Sequence, residues 1–244
     1  MAAVSILGLL AQMSSPRLKA LFGQDPEHAA KWVFVAALEG LAEAQVCYGR
    51  MLLEGTGLAK DTAGAFKWFR RAAAGGDPDA INMMGRCLDN GWGAIEDPAE
   101  AVACFRRAAD SGHAWAQYNL GHMFLNGRGV ARNLELAYAY YLKAALQRHE
   151  RAMNLLGRCC EQGWGTPRDV RAAAEWYRRS AEAGYFRGQY NWASLLRETG
   201  RLDQAAIWFE RAAAEGTPAV RKAAQVALQD LGARSLRSPI ASTP

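Results

Sequence analysis

Apolar positions along this chain recur with a helical rhythm, and the rhythm itself repeats. Between Asp79 and Asn90, Ala80, Met84 and Leu88 fall at i, i+4 and i+8, one stripe of a 3.6-residue helix, with Gly85 on the same face. A break at Gly91-Trp92-Gly93 follows, and then a second stripe of Ala101, Cys104, Phe105 and Ala108. The series starts again at a fixed step. Gly49, Gly85, Gly121 and Gly157 are each 36 residues from the next, and Ala193 continues them. The same step relates Ala72-Ala73, Ala108-Ala109, Ala144-Ala145 and Ser180-Ala181, and also Gly76, Gly112, Arg148 and Gly184. Self-similarity of this period is the mark of stacked supersecondary units, none of which can bury its apolar face alone.

Each repeat predicts two helices, A and B. A glycine inside helix A costs about 1 kcal/mol relative to alanine, so its recurrence points to a neighbouring helix that comes too close for a side chain. Helix A stops at Gly55-Thr56-Gly57, Gly91-Trp92-Gly93, Gly127-Arg128-Gly129 and Gly163-Trp164-Gly165. The first glycine of each suits the left-handed position just past a helix end. Helix B is capped by Asp61, Asp97, Asn133 or Asp169, whose side chains can accept from free backbone N–H groups. Its buried face alternates rings with alanines, as in Ala65, Trp68, Phe69, Ala72 and Ala73, a pattern that lets facing helices interdigitate.

The expected organisation is one continuous array. Residues 1–26 form an N-terminal capping helical segment and 27–40 a leading half repeat. Full repeats follow at 41–76, 77–112, 113–148, 149–184 and 185–216, then a closing helix at 217–231 and a disordered tail at 232–244. The fifth repeat is four residues shorter, the loss falling in its loop at Glu198-Thr199-Gly200-Arg201. The apolar stretch Met1 to Met13 has no Lys or Arg before it, and Ser14, Ser15 and Pro16 interrupt it. We read it as a capping or partner-binding helix rather than a secretory signal. Its face, Ile6, Leu7 and Leu10 with Leu18, Leu21 and Phe22, could seal the first helix pair or anchor a partner.

Composition narrows the chemistry. Half of the 244 residues are hydrophobic, so a sizeable core is possible. The net charge of +5 does not by itself imply nucleic acid. Five cysteines at irregular spacing, with no C-x-x-C pair, argue against a zinc site or disulfide framework and fit reduced thiols in a cytoplasmic protein. No run of roughly 18 apolar residues exists to span a membrane.

The pattern A-x3-[LM]-G-x2-[YLMC]-x2-G-x-G, then a capped helix with A-x2-[WC]-[FY]-x2-[AS]-A, resembles the Sel-1-like repeat, a relative of the tetratricopeptide repeat with a longer loop. The resemblance covers residues 29–216. In the fifth repeat Ala193 replaces the glycine and Gly-x-Gly is gone, which is closer to a tetratricopeptide repeat. The resemblance implies an all-α, right-handed α-α superhelical solenoid of antiparallel helix pairs. It also implies a non-enzymatic scaffold or adaptor that binds other proteins and needs no cofactor. One secreted, cysteine-rich branch has a disulfide in each repeat and is linked to penicillin-like ligands. That cysteine pattern is missing here, so the activity is not carried over and remains only an alternative.

On the resemblance to tetratricopeptide grooves, the residue after the helix A glycine points into a concave surface. That position reads Arg50, Arg86, His122, Arg158 and Ser194. Three before the glycine stand Val46, Asn82, Tyr118, Asn154 and Tyr190, and six before it Glu43, Asp79, Trp115, Arg151 and Arg187. The expected site comprises Arg50, Asn82, Arg86, Tyr118, His122, Asn154, Arg158 and Tyr190. Guanidinium forks suit carboxylates, so the expected ligand is an acidic or C-terminal segment of a partner protein. The plainer alternative is a solvated helix face balanced by Glu54, Asp89 and Glu161. The pairs Arg70-Arg71, Arg106-Arg107 and Arg178-Arg179 end helices B, where positive charge complements the helix dipole. Their rival reading is a basic stripe for nucleic acid. Gly-x-Gly without a preceding strand is loop punctuation rather than a phosphate site. His113 and His149, at one repeat position beside the inter-repeat turn, read as structural. Trp92 and Trp164 read as packing onto an adjoining repeat rather than as a partner-facing ridge.

Overall fold

The computed structural model of the protein describes residues 25–235. The expected N-terminal capping segment falls almost wholly outside these residues, as does the tail from residue 236 onward. Among the described residues there are twelve α-helices and no strand. Helices A are α2 (Ala42–Glu54), α4 (Pro78–Asn90), α6 (Ala114–Asn126), α8 (Glu150–Gln162) and α10 (Phe186–Glu198). Helices B are α1 (Pro26–Leu38), α3 (Thr62–Ala74), α5 (Pro98–Asp110), α7 (Leu134–Leu146), α9 (Val170–Glu182) and α11 (Leu202–Glu215). Helix α12 (Pro218–Ser235) closes the series. It runs four residues past the expected end at 231, with Leu231 buried against the core.

The chain divides into two compact units, one ending at Arg132 and the other beginning at Asn133. In the N-terminal unit α1 to α6 pack each on the next, and α2 also meets α4. In the C-terminal unit α7 to α12 do the same, with α8 against α10 and α10 against α12. The fold is an all-α solenoid of helical repeats.

The glycines set the helix spacing. A methyl group on Gly85 would lie 2.8 Å from Phe105 of helix B, and one on Gly157 would lie 2.5 Å from Tyr177. Both rings are buried. Helix A is therefore buried on more than one stripe. Ala80, Ile81, Asn82, Met83, Gly85, Cys87 and Leu88 are all buried in α4, whereas Met84 is only half-buried.

Local chemistry ends and starts the helices where the sequence indicates. Gly55, Gly91, Gly127 and Gly163 take φ between 67° and 78° just past helices A. The second glycine of each break has a further reason. At Gly93 an added Cβ would collide with the Thr62 carbonyl, and at Gly165 with that of Leu134. These loops thus rest on the first turn of the preceding helix B. Asp61, Asp97, Asn133 and Asp169 each accept from a backbone N–H as expected. His113 and His149 cap α6 and α8 through Nδ1, which accepts from Ala116 and Ala152 at 3.2 Å.

Candidate partner-binding groove

The N-terminal unit brings Arg50, Asn82 and Arg86 to one concavity of about 580 Å³, whose other walls include Lys60, Asp79, Trp92 and Trp115. Arg50 does not stand alone there. Its Nη2 donates to both Asp79 carboxylate oxygens, at 2.6 and 2.8 Å. His113 faces the same carboxylate through Nε2 at 3.6 Å. That contact does most to hold the Asp79 carboxyl below its usual range; partial burial works against it, and the charge of Arg50 adds to the lowering. Arg86 lies over the Trp92 ring, 5.3 Å from its centre, a stack worth about 0.5–1 kcal/mol at exposed sites.

Asn82 is buried, and its Oδ1 accepts from Asn119 Nδ2 at 2.8 Å, bracing α4 against α6. A neighbouring hollow of about 290 Å³ is lined by Arg86, Asp89, Tyr118, Asn119, His122 and Arg128 among others. Arg86 therefore stands on the wall shared by both hollows. Tyr118 Oη and His122 Nε2 are 3.1 Å apart. Arg128 donates through Nε to Asp89 at 2.6 Å and through Nη2 to Glu96 at 2.9 Å, closing the far wall. Sequence reading missed Asn119 and Arg128, because each acts on a residue 37 or 39 positions away.

The C-terminal unit repeats part of this arrangement. Asn154 Oδ1 accepts from Asn191 Nδ2 at 2.8 Å, and Arg158 lies 5.1 Å over Trp164. Tyr190 is committed to packing: its ring is 5.4 Å from that of Phe209, against the core formed by Ala193, Leu196 and Ala205. The expected site residues thus form two sets. Arg50, Asn82, Arg86, Tyr118 and His122 lie in one unit, and Asn154, Arg158 and Tyr190 lie in the other.

Five consecutive stretches of the chain, residues 42–77, 78–113, 116–149, 150–185 and 187–217, match the Sel1 repeat. The chain belongs to the Sel1 repeat family. It is similar in structure to a Sel1 repeat protein from Oxalobacter formigenes, at 27% identity and a TM-score of 0.72, over 83% of this chain and 89% of that one. It is also similar to a protective antigen of uropathogenic Escherichia coli with an SLR fold, at 29% identity and a TM-score of 0.56. That match covers 86% of this chain but only 53% of the antigen, about half its length. An immunity protein from Pseudomonas aeruginosa shares the fold at 17% identity and a TM-score of 0.54, over 89% of this chain and 83% of its own. No curated protein matches the chain. Sel1 repeats are generally protein–protein interaction modules.

Several other polar side chains of these Sel1 repeats brace the framework. Arg107 Nη2 donates at 2.7 Å to the Ala73 carbonyl, which also accepts from Gly76 N–H at 3.1 Å, and so ties α5 to the end of the preceding helix B. Arg178 is bound by Glu175 and Glu182, and Arg179 by Glu175. Trp92 and Trp164 are half-buried under arginines of their own repeats. Glu161 accepts from Tyr177 Oη at 3.0 Å. Burial pushes the thiols of Cys87 and Cys104 up to about 11 and that of Cys159 up to about 12, so at neutral pH they stay protonated and poorly nucleophilic. Among the described residues no three His, Cys, Asp or Glu side chains gather as metal ligands. No described helix is long and apolar enough to cross a membrane.

Proposed function

We propose that this chain is a scaffold that holds a segment of a partner protein against its helix A surface, and that the segment presents carboxylates. The observation that supports this reading is the convergence of Arg86, Asn82, Trp92 and Trp115 on one hollow of about 580 Å³. Its size suits a few side chains rather than a flat interface. The aromatic walls give contact area with few rotors to freeze. Within the hollow Asp79 offsets Arg50, and Arg86 with Lys60 adds positive charge that attracts an anion, with Glu54 opposing them. No catalytic role is assigned to any of these groups.

The test compares proteins captured by the full chain with those captured by the double variant Arg86→Glu, Arg158→Glu. Both residues lie over tryptophans on the surface, so the variant should fold. Capture should fall roughly tenfold or more, as for loss of a charge-assisted anchor. A synthetic peptide copying the acidic or C-terminal segment of the captured protein should compete. Unchanged capture by the double variant would refute the groove.

A further inference from the structure

We infer that the turn between α7 and α8 is a second docking site, distinct from the helix A groove. Its ligand would be a short partner segment that sets a carboxylate beside an aliphatic or aromatic side chain. The turn departs from the repeat at its last position, where every equivalent turn has glycine. Equivalent turns read Leu38-Glu39-Gly40, Ala74-Gly75-Gly76, Asp110-Ser111-Gly112 and Glu182-Ala183-Gly184, but this one reads Leu146-Gln147-Arg148. The last position needs a left-handed backbone, with φ between 86° and 91° at the four glycines. Arg148 adopts φ of 63° and is the one non-glycine residue with positive φ among the described residues. A side chain there is strained, and arginine has no local polar group with which to relieve it. Packing does not demand Leu146 either, since that residue is 70% exposed.

Leu146 and Arg148 border one hollow. About 310 Å³ is enclosed by Ala145, Leu146, Arg148, Met153, Trp176 and the end of α9. Its floor is apolar. The charges at its edge are compensated, except for one. Arg179 donates to Glu175 at 2.8 Å while lying over Trp176, and Glu182 accepts from Arg178 at 2.9 Å. Among the described residues no acid pairs with the Arg148 side chain. An unpaired cation beside an apolar hollow calls for a ligand with one negative charge next to one apolar group. The volume is at the low end for ligand sites, and it fits one or two side chains. A second copy of the chain would need roughly 800 Å² per partner for a stable interface, which favours a short segment.

The experiment selects dodecapeptides from a random displayed library on the full chain and then titrates enriched peptides by fluorescence anisotropy. Enriched sequences should place Asp, Glu or a free C-terminus within three residues of Leu, Ile, Met or Phe. Leu146→Ala and Arg148→Gly should each weaken these peptides roughly tenfold, and Arg86→Glu should leave them unchanged, which separates this site from the groove. Arg148→Gly should at the same time raise the melting temperature by about 2 °C by removing the strain. A residue kept for packing would not show that opposition of stability and binding. Four results would overturn the site. One is an enrichment consisting only of peptides that Arg86→Glu abolishes, and another is full binding by both turn variants. The others are a fall in melting temperature for Arg148→Gly, and self-association of the wild type that Leu146→Glu abolishes.

Discussion

Arg86 in the N-terminal unit and Arg158 in the C-terminal unit occupy the same repeat position. Each lies over the tryptophan of a Gly-Trp-Gly break, and each follows by four residues an asparagine that is bonded to the next repeat. Their surroundings differ in charge. Six before the glycine, the first has Asp79, which takes both contacts from Arg50. The second has Arg151, which lies over Tyr185 and 3.8 Å from Glu150. The framework is thus held fixed while neighbouring positions change charge, Asp79 becoming Arg151 and Trp115 becoming Arg187 two repeats on. Packing constrains the glycine, the ring and the asparagine; position 79 or 151 lies at the surface and is free to vary with the ligand.

The comparison can be broken first at its framework. Gly85→Ala and Gly157→Ala should each destabilise by about 2–4 kcal/mol, since an added methyl meets a buried ring that must move. Urea unfolding of the two variants measures this. Costs that differ by more than about 2 kcal/mol would show that the two frameworks are not equivalent. The charge difference is sharpened by Asp79→Arg, which gives the first site the sign of the second. Arg50 is released, and an acidic peptide bound in the groove should gain roughly tenfold in affinity, with a stability loss under about 1 kcal/mol because the Arg50–Asp79 pair is exposed. Calorimetric titration would show it, and a weaker peptide complex would mean that Asp79 itself contacts the ligand. The smallest effect belongs to the stacks. Trp92→Leu and Trp164→Leu should each cost about 0.5–1 kcal/mol of stability, similar in both units. A cost in one unit alone would assign the other tryptophan to the ligand.

Much of the fold was legible in the sequence because its rules act over short distances. The caps at Asp61 and Asp97 serve an N–H three residues on. The left-handed stops at Gly55 and Gly91 depend on backbone sterics alone. The site was less legible. Asn82 and Asn154 read as peptide-binding amides, yet each gives its oxygen to an asparagine 37 residues away. Tyr190 read as a groove residue, yet its ring packs beside Phe209. Helix B stripes alone did not reveal that Arg107 would reach back to Ala73.

From residue order alone came the step of 36, the helix pair in each repeat, the glycines that bring the helices together and the polar caps that start helices B. These follow from propensity, periodicity and φ restrictions, all of which are local. Only the folded chain decided that Asp79 would neutralise Arg50, that two asparagine pairs would tie adjacent repeats, and that Arg148 would stand strained and unpaired beside a hollow. Those outcomes depend on which surfaces meet across a repeat, and pairing at that range is set by the packed geometry rather than by neighbours in sequence.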